Sequence, residues 1–231
     1  MTNPNIEQLT GMTRQHLTPC WSGALVHVDV LSSLECLRVR AQAAGFELTI
    51  ASSFRDFDRQ SLIWQEKIEG KRPVYCDAGS SLDVGAMGDD EVLAAILRWS
   101  ALPGVSRHHW GTDFDIFDAN AIAADYRVQL VPEEYLVGGP FFAFSQWLNQ
   151  QVSDGHSEGF FLPYQNDSAG VAPEPWHISY APVAEKFESL WSYDEFSRLL
   201  ERGVWPLEAS IRRQGSDIYR RFVAPAVMGA Y

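Results

Sequence analysis

The sequence predicts an α+β protein in which a small, mainly antiparallel sheet is flanked by helices. Segments with helical periodicity are mixed with short alternating segments, without the regular strand–helix–strand rhythm of a parallel sheet. The 231 residues are 46% hydrophobic and 21% charged, which is a globular composition with enough chain to bury a sizeable core. No internal repeat divides the chain, so we expect a single domain over residues 1–231.

A helix is the first clear element of the chain. Apolar residues recur at helical spacing over about 29–44, with Asp29 at the N-cap position and Cys36 on the apolar face, where we expect it in the core. Gly45 follows directly, where a C-terminal cap is expected. The other predicted elements up to residue 180 are, in chain order, a strand over 46–50, a helix over 58–69, a loop over 71–88, a helix over 89–102, a strand over 113–117, an amphipathic stretch over 141–152, a loop over 155–170 and a strand over 176–180.

The C-terminal part of the chain is predicted to be helical over about 182–202. Within it, Ser192 is followed three residues later by Glu195, a capping-box pattern that favours a separate helix starting there. We expect the chemistry to lie in a core of about residues 29–180. The C-terminal extension, about 182–231, is expected to pack on that core or to cover its cleft.

The net charge of the chain limits the classes of molecule that we expect it to bind. Eighteen Lys and Arg against 30 Asp and Glu give a formal net charge of −12, which argues against nucleic acid and anionic membrane surfaces as partners. The N-terminus has no basic segment followed by an apolar one, and no apolar run approaches the roughly 20 residues of a membrane-spanning helix. We therefore expect no membrane insertion and a cytoplasmic location. Three widely spaced cysteines point to reduced thiols rather than a disulfide scaffold.

Two short clusters contain the residue types of a zinc hydrolase. The first, SRHHWGTDFD, covers 106–115, and the second, EPWH, covers 174–177. A catalytic zinc ion takes three nitrogen or oxygen ligands from the protein and keeps one position open for water. His108, Asp115 and His177 would supply that ligand set.

Glu174 is the candidate general base. It lies three residues before His177, and on a regular strand the two side chains would point to opposite faces. Pro173 and Pro175 argue against regular strand geometry at this point, so a bend could bring both side chains to one metal-bound water. Glu174 would then take a proton from that water and pass it to the leaving amine.

Taken together, these motifs resemble a known group of metallopeptidases. The spacing S-x-H-x-x-G-x-x-x-D over 106–115, followed by E-x-W-H over 174–177, is similar to the signature of the D-alanyl-D-alanine carboxypeptidases and dipeptidases. That group includes the vancomycin-resistance D,D-carboxypeptidases and relates to the lysostaphin and hedgehog-like zinc fold. Its upstream S-G-Y-R-S-x-x-x-Q motif is matched more loosely over 52–60, where the arginine and the glutamine keep their places. The resemblance extends over about 29–180.

The resemblance implies a fold and a set of roles. The fold would be the hedgehog-like zinc peptidase fold, with one zinc ion per chain bound by His108, Asp115 and His177 and with Glu174 as the general base. Arg55 would bind substrate or stabilise the developing oxyanion, a role that suits its fork of donors. The residues expected to contact the substrate are Gln60, Ser106, Asp113 and Trp176.

Asp113 departs from the family pattern, in which this position is often alanine. Its carboxylate would add negative charge beside the metal or contact an amine of the substrate. Asp113 and Asp115 share one face of the predicted strand, and two carboxylates there repel each other unless a cation lies nearby. His109 is expected to be a neighbour of the site rather than a ligand.

The leading hypothesis is a zinc-dependent D,D-carboxypeptidase that hydrolyses the D-Ala-D-Ala bond of peptidoglycan stem peptides or muropeptides. An L-Ala-D-Glu endopeptidase and a D,D-dipeptidase share these motifs, so the choice of bond stays open. Two other classes are a non-haem iron oxygenase, for which His27 and Asp29 offer an H-x-D pair, and a non-catalytic cell-wall-binding module. Asp29 as a helix N-cap and the intact general base Glu174 count against them. The sequence makes no prediction of the oligomeric state.

Overall fold

A computed structural model describes residues 3–167 and 169–224 and contains two antiparallel sheets with helices around them. The strands are β1 (Leu17–Pro19), β2 (Leu25–His27), β3 (Leu48–Ser52), β4 (Asp113–Asp118), β5 (Phe160–Phe161) and β6 (His177–Tyr180). The α-helices are α1 (Ile6–Leu9), α2 (Leu31–Ala43), α3 (Phe57–Ile68), α4 (Asp89–Leu97), α5 (Pro132–Tyr135), α6 (Phe142–Ser153), α7 (Ala181–Glu188), α8 (Tyr193–Arg202) and α9 (Glu208–Ile218). None of the helices in the described ranges is long and apolar enough to cross a membrane.

The larger sheet has the strand order β3-β4-β6-β5, and every neighbouring pair is antiparallel. One of its faces is apolar: Phe114 and Ile178 pair across β4 and β6 and pack in a core with buried side chains of α2 and α6. Because side chains alternate along a strand, the polar residues of β4 and β6 share the opposite face. The polar cross-strand pairs are Asp113 with Ser179 and Asp115 with His177.

A second core lies among α3, α4 and the C-terminal helices α7 to α9. It includes Trp64, Trp110 and Phe187, which are all fully buried. The rings of Trp110 and Phe187 stack with centroids 5.4 Å apart, which ties α7 to the 3-10 turn Arg107–Trp110 that precedes β4. The C-terminal helices therefore pack on the core, whereas residues 225–231 of the predicted extension lie outside the described residues.

The predicted α+β fold with a small antiparallel sheet is confirmed. Gly45 follows α2 with a φ of +92°, which is the left-handed conformation expected at that cap. Ser192 accepts a hydrogen bond from the backbone N–H of Glu195 at 3.1 Å and starts a separate helix, α8, as its capping pattern indicates.

Other predictions about local structure were wrong. Helix α2 begins at Leu31 after the N-cap residue Val30, so Asp29 does not cap it. Cys36 is exposed because the buried stripe of α2 follows a different helical face, through Leu34, Leu37 and Ala41. The segment predicted as a loop over 155–170 contains the edge strand β5, and the β1–β2 hairpin was not predicted at all.

Candidate metal centre and active site

Three side chains from neighbouring elements of the larger sheet converge at one point. Asp115 lies on β4 and His177 lies opposite it on β6, while His108 belongs to the 3-10 turn that leads into β4. Gly111 ends that turn with a φ of +70°, and a Cβ atom there would lie 2.5 Å from Leu17 Cδ2. Glycine is therefore required for the turn to pass this close to β1.

The three side chains form a group that can hold a metal ion. One potential ligand atom from each of His108, Asp115 and His177 lies within 4.8 Å of the others, and all three residues are buried. His108 Nε2 is 3.4 Å from Asp115 Oδ2, and His177 Nδ1 is 3.1 Å from Asp115 Oδ1. His177 Nδ1 is buried without a hydrogen-bond partner, as expected of a nitrogen that faces a metal position. Two imidazoles and one carboxylate are a ligand set of catalytic zinc sites, so these residues fit the predicted metal.

Hydrogen bonds on the far side of each histidine decide which ring nitrogen faces the centre. His108 Nδ1 donates to the carbonyl oxygen of Ser53 at 2.9 Å, which leaves Nε2 for a metal. His177 Nε2 donates to Asp113 Oδ1 at 3.0 Å, which leaves Nδ1. Carbonyl and carboxylate oxygens only accept, so both tautomers follow from these partners. Such partners orient a ligand ring and raise its basicity.

Asp113 belongs to a buried polar network behind His177. Arg107 Nε donates to Asp113 Oδ1 at 2.7 Å, and Ser179 Oγ donates to Oδ2 at 3.1 Å. Burial by itself raises the pKa of Asp113, but Arg107 and His177 hold that pKa well below its usual range. Arg107 is therefore a cation that lets two carboxylates, Asp113 and Asp115, share one strand face.

A turn brings Glu174 to the same centre. Between Pro173 and Pro175 the chain does not follow a strand, and the His177 N–H donates to the Glu174 carbonyl at 3.1 Å. Glu174 Oε2 lies 3.4 Å from His177 Nδ1, so this carboxylate stands beside the potential ligands. The bend expected from the two prolines is present.

The centre opens into a cavity of about 380 Å³ that Arg55, Glu174 and Trp176 help to line. Arg55 precedes α3, and its backbone is anchored to the neighbouring turn: its N–H donates to the carbonyl of His108 at 3.2 Å, and its carbonyl accepts from His109 Nδ1 at 2.6 Å. Burial lowers the pKa of the Arg55 guanidinium, although the nearby carboxylates oppose the shift. His109 is thus a buried neighbour that fixes the position of Arg55.

Three of the residues predicted to contact substrate do not line this cavity. Gln60 is fully buried, and its amide donates to the carbonyl of Ala101 at 2.7 Å. Ser106 is buried at the start of the 3-10 turn, and Asp113 lies behind His177 as described above. Trp176 does line the cavity.

Sequence reasoning did not consider Lys67, which also lines the cavity. The buried face of α3 carries Gln60, Ile63 and Trp64, and Lys67 follows Gln60 by seven residues. Positions i, i+3, i+4 and i+7 share one face of a helix. A lysine that continues a buried stripe is the signal that would have identified it.

The H-x-D pair considered for iron does not form a comparable centre. The Asp29 N–H donates to His27 Nδ1 at 3.1 Å, and the Asp29 side chain is exposed. Within residues 3–167 and 169–224, the three residues that lie close enough together to hold a metal ion are His108, Asp115 and His177.

Comparison with known protein families gives a match over most of the chain. Residues 23–183 match the family described as VanY, D-alanyl-D-alanine carboxypeptidase. The chain belongs to the VanY family. The resemblance predicted from the motifs, and with it the enzyme class of a hydrolytic peptidase, is therefore confirmed.

Two relatives of this VanY-family chain are matched over different shares of their length. A D-alanyl-D-alanine carboxypeptidase of Enterococcus faecalis is 26% identical over 166 residues, which cover 70% of this chain and 50% of the relative. An uncharacterised Haemophilus influenzae protein is 44% identical over 100 residues, which cover 42% of this chain and 68% of the relative. The match thus spans about half the length of the enterococcal carboxypeptidase.

Two solved structures share the fold. VanYB in complex with D-alanine-D-alanine aligns with a TM-score of 0.52 and 20% identity, covering 79% of this chain and 87% of that one. A variant of the vancomycin-resistance D,D-pentapeptidase VanY in complex with Zn(II) aligns with a TM-score of 0.52 and 21% identity, covering 86% and 92%. The predicted D,D-peptidase-like fold is therefore confirmed.

Proposed function

We propose that this VanY-family chain is a zinc-dependent D,D-carboxypeptidase that hydrolyses the D-Ala-D-Ala bond of peptidoglycan stem peptides. The observation that carries the proposal is the convergence of three buried ligands, His108, Asp115 and His177, with the carboxylate of Glu174. Of these four residues, all except His177 line the same cavity. Three protein ligands leave a coordination position for water or substrate, which is the arrangement of a catalytic rather than a structural zinc site.

The zinc ion is proposed from the donor set and from the Zn(II)-bound relative. When bound, zinc would supply a Lewis acid that polarises the scissile carbonyl and acidifies a water molecule. His108 and His177 would hold it through nitrogens whose opposite ring positions are engaged by Ser53 and Asp113. Binding requires neutral histidines and an ionised Asp115, and the two histidines lower the pKa of Asp115 below its usual range although burial raises it.

Glu174 performs the proton transfers in this proposal. Its carboxylate takes a proton from the attacking water and later delivers that proton to the leaving amine. Arg55 lines the same cavity and binds the substrate there through the donors of its guanidinium. Trp176 forms part of the cavity wall and limits the space available to the substrate.

Product analysis of the zinc-loaded chain tests the choice of bond. A stem pentapeptide ending in D-Ala-D-Ala is incubated with the protein, and released D-alanine is compared with cleavage between L-Ala and D-Glu and with hydrolysis of the free dipeptide D-Ala-D-Ala. We expect release of one D-alanine per pentapeptide. Cleavage at L-Ala-D-Glu, or hydrolysis of the dipeptide alone, would assign the chain to an endopeptidase or a dipeptidase instead. The cytoplasmic location remains a prediction.

A further inference from the structure

The cavity is lined by two cations, Lys67 and Arg55, that have carboxylates in their surroundings but form no ion pair within the described residues. The Lys67 side chain makes no ion pair or hydrogen bond with any residue in the described ranges, and neither does the guanidinium of Arg55, whose Nε is buried without a partner. A third cation of the cavity, Arg72, differs because it pairs with Glu66 at 2.9 Å. Half-buried cations without partners are costly unless a ligand compensates their charge.

The surroundings of Lys67 increase that cost. The charged groups that face it are Arg55, Arg72 and Glu174, which amount to two cations and one anion. Burial and Arg55 lower the pKa of Lys67 to about 8, while Glu174 opposes the shift. Lys67 is therefore still mostly protonated at neutral pH. Glu174 cannot serve as its permanent counter-ion, because this carboxylate must accept a proton in each catalytic cycle.

We infer that Lys67, together with Arg55, binds the terminal carboxylate of the peptide, so that the chain selects substrates ending one residue beyond the scissile bond. This inference rests on the proposed function. In a carboxypeptidase substrate, the residue after the scissile bond carries a free carboxylate, whereas in an endopeptidase substrate a neutral amide stands there. A carboxylate between Lys67 and Arg55 would compensate both cations, and an amide would leave them desolvated and unpaired.

Equilibrium binding tests the inference without relying on turnover. The zinc-loaded full chain carrying Glu174→Gln is titrated calorimetrically with two stem pentapeptides that differ only in a free or an amidated C-terminus. We expect the acid to bind about 10- to 100-fold more tightly than the amide, the range of a charge-assisted hydrogen bond. Adding Lys67→Met should remove most of this difference by weakening the acid alone.

Control variants separate recognition from folding. Lys67→Arg keeps the charge and should retain a preference for the acid, whereas Lys71→Met removes an exposed lysine close by in sequence and should change neither affinity. If Lys67→Met weakens acid and amide equally, or if the parent binds both equally, the subsite is refuted. If the zinc-loaded wild-type chain hydrolyses neither peptide while the acid preference depends on Lys67, the proposed function fails and the subsite stands.

Discussion

Replacing Asp113 by asparagine should weaken zinc binding while leaving the chain folded. Asparagine has the same shape, and its amide oxygen can still accept from Arg107 Nε and His177 Nε2, which now lie 2.7 and 3.0 Å from Asp113 Oδ1. The substitution removes the negative charge that polarises the His177 ring. Arg107 keeps its partner Glu188, so the buried guanidinium is not left without an anion.

The size of the effect follows from this geometry. Removing the outer partner of a metal-ligating histidine costs about 10- to 100-fold in metal affinity, or roughly 1.4–2.7 kcal/mol. The stabilisation by saturating zinc falls by the same amount, since ligand binding adds directly to the free energy of unfolding. For a chain of this size, about 2–4 °C per kcal/mol makes the zinc-induced rise in Tm smaller by roughly 3–10 °C.

Chelator competition gives the zinc dissociation constant, and thermal melts with and without zinc give the second readout. The matched control is Asp217→Asn, which removes a half-exposed carboxylate paired with Arg220 and Arg221 and should change neither quantity. A lower Tm for Asp113→Asn in both metal-free and zinc-loaded protein, with an unchanged zinc dissociation constant, would show that Asp113 only stabilises the fold. The positioning role argued for it would then be wrong.

Two further predictions concern the frame of the site. Gly111→Ala should lower the free energy of unfolding by about 1–3 kcal/mol more than Gly155→Ala. Both glycines have a φ near +70°, so the backbone strain is similar, but only at Gly111 would the added Cβ atom collide with Leu17. Urea unfolding of both variants tests this, and equal losses would contradict it. Burial lowers the pKa of His109 in the folded chain to about 3. Below about pH 6.5 the unfolded chain therefore binds a proton at His109 that the folded chain does not bind. The free energy of unfolding should then fall by roughly 1.4 kcal/mol for each pH unit. Metal-free His109→Gln protein should show a flatter dependence between pH 7 and pH 5, and an unchanged slope would refute the assignment.

The ligand set could be predicted from the sequence because local rules bring its members together. Alternation along β4 puts Asp113 and Asp115 on one face, and antiparallel pairing sets His177 directly across from Asp115. The two prolines around Glu174 indicated a departure from strand geometry, and the turn found there places its carboxylate at the centre.

The roles of Asp113 and Gln60 could not be read in the same way, because they depend on partners distant in sequence. Asp113 and Glu188 both form an ion pair with Arg107, and Glu188 lies on α7, 75 residues after Asp113 in the chain. The amide nitrogen of Gln60 donates to the backbone carbonyl of Ala101, after α4, whereas its amide oxygen is buried without a partner. A motif fixes the order of residues along the chain, but it does not show which buried groups will satisfy their hydrogen bonds.

The short elements escaped prediction for a different reason. Strands β1, β2 and β5 contain two or three residues each, which is too few for an alternating pattern to be distinguished from a loop. Their pairing is set by tertiary contacts, as at Gly111, where the turn before β4 packs against Leu17 of β1.

The most direct test of the account compares D-alanine release by wild-type protein and by Glu174→Gln, both carrying measured zinc. We predict one zinc ion per chain in each protein, release of D-alanine from a stem pentapeptide by the wild type, and a rate lower by about 10²- to 10⁴-fold in the variant. Equal turnover by the two proteins, or a failure of the wild type to bind zinc after metal repletion, would contradict the proposed mechanism.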